Sequence, residues 1–269
     1  MGQPMSKKPL MVSKYLFIFN LAVIQSLKNS KALLGLSLFL LTCLLIFAHL
    51  WKIAAAKMGA AHLHPDQLLW YIALNEWVLI SIPEIHVGME QDLRSGKLAY
   101  LLPRPISYLK SMFFEGLGML TVNLLVLGAV AFLFTWWRIG IFPFEGRILI
   151  LLLALGALAG AVGVIFQMLV GISAFWLQEV SPFNWIWEKL LFALGGLILP
   201  LAVYPLWIQN IAYWTPFPAI LGERSALAID FSYTAALHVA LSLLFWGLLA
   251  LGCLSLLYRK GLKILTVEG

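Results

Sequence analysis

Charge is scarce in this chain. Charged residues make up 11% of the sequence and apolar residues 62%, whereas a soluble domain carries about 25% charged and 45–50% apolar side chains. So little charge cannot coat a surface that faces water. A soluble globular domain is excluded, and lipid is the expected solvent. Cysteine is nearly absent too. Cys43 and Cys253 both lie within apolar runs, which leaves them as packing residues and not a disulfide framework or a metal site. His62 and His64 flank Pro65 without further ligands nearby, so no metal is expected there. No nucleophile with a base, and no ligand cluster, marks an intramembrane enzyme. No nucleic-acid partner is expected either.

Long apolar runs are what the chain does have. Six are long enough to cross a bilayer, at approximately 32–51, 67–87, 112–137, 148–173, 190–207 and 233–257. The fifth contains Pro200 and Pro205 and is expected to be kinked or broken. The expectation is an all-α integral membrane protein of one domain. Residues 1–31 form an N-terminal segment, 32–257 a six-span transmembrane domain and 258–269 a tail. Lysine and arginine fall thirteen to five in favour of the side that holds both termini and residues 89–110. That side is expected to be cytoplasmic. Trp51, Trp70, Trp136, Trp137, Trp207 and Trp214 fall near outer ends, and Trp176, Trp185 and Trp187 near an inner connection. They read as interfacial belts.

Two further segments are amphipathic or interrupted. The run YLFIFNLAVI follows Lys7, Lys8 and Lys14 and precedes QSLKNS, with no small-x-small cleavage site, so a cleaved leader is not expected. It is too short to span. Lys14, Gln25 and Lys28 form a narrow polar stripe, as in a helix lying in the membrane surface near anionic headgroups. Residues 208–232 are apolar but broken by Pro216, Pro218 and Gly222. They read either as a re-entrant outer hairpin of two short helices before the last span, or as a loop capping the bundle.

The segment MEQDLRSGKLAYLLPRPISYLK, residues 89–110, is a charged island between two apolar runs. Its SGK is not a nucleotide-binding loop: Gln91 stands where a glycine is needed, and Leu98 follows the lysine where Ser or Thr is needed. Met89, Leu93 and Tyr100 fall along one helical side, and Glu90, Asp92 and Arg94 give a polar surface. Gly96 and Lys97 interrupt the pattern. Pro103 and Pro105 bar helix continuation and are expected to hold Leu102 and Arg104 extended. The island is therefore either a docking helix with a stiff elbow or a solvated loop whose charges fix topology.

The run DLRSGKLAYLLPRPISYL, Asp92–Leu109, resembles the segment after the second span of ABC-2-type export permeases, most closely the viologen-exporter-like branch. Gly96, Leu98, Leu101, Leu102, Arg104, Pro105, Ile106 and Ser107 match its pattern, and Pro103 departs from it. The resemblance implies a half-transporter in a bacterial cytoplasmic membrane, multi-pass, with both termini inside. It implies a second permease copy or a different permease, and a pair of ATPase subunits beneath. ATP and Mg would then be held by the partner ATPase, with no cofactor in this chain. Met89, Glu90, Asp92, Leu93, Arg94, Gly96, Lys97, Tyr100, Arg104 and Pro105 would form the ATPase-coupling helix and elbow, with the N-terminal helix as a second contact.

Polar residues inside spans are the remaining candidates. Glu76, with Asn75 beside it, falls near mid-bilayer, where a charge costs at least about 2.5 kcal/mol. The pair reads either as a contact in the translocation path or as a neutral structural site. A proton-coupled secondary transporter using Glu76 is the alternative function. Glu84, His86 and Glu115 are expected to pair with Arg94, Arg104 or Lys110. His49, Gln167 and His238 are expected inside the bundle. Gly156, Gly160 and Gly163 permit close helix packing.

Overall fold

Prolines and glycines punctuate the apolar runs, and the helices start and stop at them. The computed structural model describes residues 8–58, 64–103, 106–141, 145–177 and 179–267. Its helices are α1 (Lys8–Lys28), α2 (Ser30–Met58), α3 (Pro65–Ser81), α4 (Ile85–Arg94), α5 (Lys97–Leu101), α6 (Tyr108–Ile139), α7 (Gly146–Ile172), α8 (Ser181–Leu194), α9 (Leu206–Tyr213), α10 (Phe217–Ile220), α11 (Gly222–Ala226) and α12 (Tyr233–Val267). Single 3-10 turns occupy Ser173–Phe175 and Leu201–Val203. Among the described residues there is no strand.

Five helices are long and apolar enough to cross a membrane: α2, α3 continued by α4, α6, α7 and α12. With 32 residues in α6 and 35 in α12, these two reach about 48 and 52 Å, well beyond a bilayer core of about 30 Å. The helix of α12 also runs through the expected tail at 258 and on to Val267.

The stretch 190–207 is not a continuous helix. Its first part ends α8 at Leu194, and Gly196 then takes a left-handed φ of 68°, which a residue with a Cβ adopts only at a cost. Pro200 and Pro205 lack the N–H that a helix would use. The chain nevertheless traverses the bundle here. Arg147 and Ile148 of α7 lie beside Phe231, just before α12, and Tyr233, its first residue, at one end. At the other end Phe175 packs on Tyr258. Thus α7 and α12 run in the same direction, and the chain between them returns in pieces, as α8 to α11.

The third helix is the hub. Its span is 78% buried, against 17% for α2 and 28% for α12. Close packing around it comes from α7, where Gly156, Gly160 and Gly163 face Trp77, Leu120 and Ile82. These glycines therefore serve packing within the chain. Trp70 is fully buried against Phe132 and is not a belt residue. Trp187 is likewise buried and stacks on Phe166 at 4.6 Å. Trp136, Trp137, Trp207 and Trp214 are exposed, as expected of belts. His49 and His238 also sit on exposed faces, not inside the bundle, and His49 Nδ1 contacts the Leu45 carbonyl of its own helix.

The first helix docks along α6. Tyr15 stacks on Phe114, and its hydroxyl accepts the Ser107 N–H at 3.1 Å. Further along, a Cβ at Gly118 would lie 2.6 Å from the Phe19 carbonyl oxygen. Leu16, Phe17, Leu21, Ile24 and Leu27 stay exposed. The helix thus has one apolar face on the protein and another turned outward.

Candidate functional site

The charged island folds as two short helices with a sharp turn. Gly96 takes a left-handed φ of 68° and ends α4. Its N–H reaches the Leu93 carbonyl, while the Ser95 N–H reaches Gln91. The break rotates α5 away from the face of α4, so Met89, Leu93 and Tyr100 do not share one exposed side. Met89 is fully buried and Leu93 partly buried in the bundle, whereas Tyr100 is 77% exposed. Leu102 is helical and not extended, because its N–H closes the last turn onto Leu98. Arg104 and Pro105 lie outside the described residues, as does His62.

Asp92 holds the turn in place. One carboxylate oxygen accepts Lys97 Nζ at 2.7 Å and the other accepts the Tyr108 hydroxyl at 3.2 Å. Tyr108 stacks on Tyr258 at a centroid distance of 6.2 Å. The turn is therefore tied to the start of α6 and the end of α12 at once. Arg94 pairs with Glu90 one helical turn away, at 2.6 Å. The expected pairing of Glu84, His86 and Glu115 with Arg94 does not form: Arg94 finds its own i−4 partner, and the Nδ1 of His86 is bonded to Gln167.

A second polar group lies deep in the bundle. Asn75 is fully buried. Its amide nitrogen donates to the Gly196 and Leu197 carbonyls at 3.3 and 3.0 Å, and its oxygen accepts the Ser225 hydroxyl at 2.6 Å. Tyr71 donates to the same Gly196 carbonyl. These side chains satisfy the backbone that the break after α8 leaves unpaired. From α11, Arg224 reaches the Leu74 carbonyl at 2.7 Å with no exposed surface. Its Nη1 has no partner among the described residues. Asn75 is thus a structural crosslink. Glu76, its neighbour, differs: it is 5% exposed and forms no hydrogen bond or ion pair among the described residues. It lies within electrostatic range of Cys43 on α2. The structure does not bring Glu76 together with the charged turn.

A protein-family model described as ABC-2 family transporter protein matches residues 68–269. The chain belongs to the ABC-2 transporter family. As an ABC-2 protein it is a multi-pass membrane transport component, the permease part of an ABC transporter, a class that associates with ABC ATPase subunits. No curated protein matches it. The matched region of this ABC-2 chain takes in both the charged turn and the polar core, and leaves out α1 and α2.

Sequence reasoning passed over Tyr71, Tyr108 and Asn184, and counted Arg224 only as a charge in an outer connection, whereas it is fully buried. Their signal was composition against place: a hydroxyl, an amide or a guanidinium inside or beside an apolar run needs a partner when buried.

Proposed function

We propose that this ABC-2 protein is the permease subunit of an ATP-driven exporter and supplies half of the translocation path. Two ATPase subunits binding Mg and ATP sit beneath it, and a second permease, the same or different, completes the path. The run Asp92–Leu109 groups it with viologen-exporter-like permeases. The membrane is the bacterial inner membrane, with the charged turn and both termini in the cytoplasm. The pieces α8 to α11 make the sixth crossing and its re-entrant return. No nucleotide site is assigned to this chain.

One observation carries the reading. The turn between α4 and α5 is braced by Asp92 yet offers Tyr100 and Leu102 outward. A brace passes on force, and exposed apolar side chains give a partner something to grip. Arg94, Lys97 and Arg104 steer the encounter and set its register. Met89, Asp92 and Leu93 hold the turn from inside, and Glu90 and Gly96 shape it.

The test is co-purification of the ATPase from the same membranes. Tyr100→Ala with Leu102→Ala is expected to lower recovery at least tenfold while leaving insertion intact. Recovery equal to the parent would refute the docking role. Cysteine labelling from outside intact cells should reach position 214 and not position 100; the reverse would overturn the topology. Glu76, without a hydrogen bond or ion pair among the described residues, is assigned to the path with Asn75 behind it. A proton-coupled transporter is the second reading, and export by this chain without any ATPase would favour it.

A further inference from the structure

A file of polar side chains crosses the bundle from α4 to α8. His86 Nδ1 lies 2.5 Å from Gln167 Oε1. Gln167 Nε2 lies 3.2 Å from Asn184 Oδ1, and Asn184 Nδ2 lies 2.8 Å from Glu188 Oε1. Three helices are joined this way: His86 stands in the first turn of α4, Gln167 near the end of α7, and Asn184 and Glu188 on α8. His86 and Gln167 are buried.

The direction of this file follows from its end group. An ionised carboxylate only accepts, so Asn184 must turn its NH2 toward Glu188. The Asn184 oxygen then faces Gln167 and takes a hydrogen from the Gln167 amide. That leaves the Gln167 oxygen for His86, which must donate from Nδ1. All three bonds point the same way, and the tautomer of a buried histidine is set by a glutamate two side chains away.

The file also sits at a mechanical joint. The second span breaks at residues 82–84, and His86 follows directly. Below the break, α4 touches α7 closely: a Cβ at Gly171 would lie 3.0 Å from His86 Cα. Between the levels of Ile82 and His86, which face Gly163 and Gly171 of α7, α8 is pressed to α7 by the Phe166–Trp187 stack. A shift of α4 therefore meets α8 through α7.

We propose that His86, Gln167 and Asn184 are positioning residues, forming a one-way hydrogen-bonded tie that makes α8 follow α4 when the charged turn is pushed. Through α8 the motion reaches Gly195 and Gly196 and so the broken crossing. The proposal rests on the ATPase-coupled reading of that turn.

Hydrogen exchange on the complete transporter with its ATPase, in lipid nanodiscs, with and without MgATP and vanadate, tests it. In the parent, nucleotide trapping should change exchange in both α4 and α8. With Gln167→Glu the acid faces Asn184 from one side and Glu188 from the other, and one bond is lost. The α4 change should remain while the α8 change falls about fivefold or more, the equilibrium factor of one lost hydrogen bond. Gln167→Met, of similar volume and without polar atoms, should do the same if the acid prevents folding. Combining Gln167→Glu with Glu188→Gln lets Asn184 turn over and re-form all three bonds, so the α8 response should return. An α8 response like the parent's in Gln167→Met overturns the tie alone. No change in α4 of the parent overturns the ATPase reading and removes what the tie would transmit. Independently, 15N magic-angle-spinning spectra of the full chain in lipid should show His86 protonated at Nδ1. A neutral ring protonated only at Nε2 would refute the stated direction.

Discussion

Replacing Asp92 should loosen the charged turn by an amount that the geometry allows to be worked out. Asp92→Ala removes the acceptor of two donors, Lys97 Nζ at 2.7 Å and the Tyr108 hydroxyl at 3.2 Å. The Tyr108 hydroxyl is buried, and leaving a buried donor unpaired costs about 1–3 kcal/mol. The side chain of Lys97 is 61% exposed, so solvent screening holds the ion pair to about 1 kcal/mol or less. The sum, about 1–4 kcal/mol, shifts the equilibrium for local opening by about 5- to 900-fold. Asp92→Asn keeps an acceptor for Tyr108 and loses only the charge, so opening should rise by about two- to fivefold. Tyr108→Phe keeps the ion pair and removes a donor that would otherwise be stranded, giving about fivefold. The assay is hydrogen exchange of residues 90–103 in the purified chain, with α7 as internal reference. The amides of Ser95, Gly96 and Leu102 report directly, since each closes a turn of this segment. If Asp92→Ala changes their exchange by less than threefold, or if Asp92→Asn is as severe as Ala, the brace does not hold the turn.

Two further outcomes are expected. Gly118→Leu puts a side chain where a Cβ alone would stand 2.6 Å from the Phe19 carbonyl; it should lift α1 off α6 at a cost of about 1–3 kcal/mol, and limited trypsin digestion should then cut faster at Lys28. Asn75→Leu strands the Ser225 hydroxyl and the Leu197 carbonyl and leaves the Gly196 carbonyl to Tyr71 alone; thermal aggregation in detergent should begin at a lower temperature, whereas Asn75→Asp, which still accepts from Ser225, should lie between Leu and the parent.

The long uniform runs were legible because length and apolar content alone decide whether a helix can span. That reasoning recovers α6 and α7 to within a few residues, and the starts of α2 and α12, whose helices run on past the expected ends to Met58 and Val267. Length and hydropathy alone miss the break at 190–207, which Pro200 and Pro205 signal; with Gly196 they deny the backbone its helical bonds. The missing partners, Tyr71 and Asn75, lie more than a hundred residues earlier, and no local pattern links them. The charged turn was visible as an island, but the sides of its residues were misread. A continuous helical period through Gly96 placed Met89 with Tyr100, and the left-handed glycine separates them. The Asp92 brace depends on Tyr108, which lies at the end of the island, short of the span expected from 112, with no local signal that its hydroxyl turns back to Asp92.

The debt between α3 and the broken crossing also sets an order of events during synthesis. Tyr71 and Asn75 enter the membrane with the second span, about 120 residues before the carbonyls they bond are made. Until Gly196, Leu197 and Ser225 leave the ribosome, α3 carries polar groups whose lasting partners do not yet exist. The later segment is equally dependent: its unpaired backbone has no stable place until α3 is already seated. The last third of the chain is thus less a set of added spans than a plug, and a nascent chain that stops after α7 presents an unfinished, recognisably polar core to the membrane's quality control.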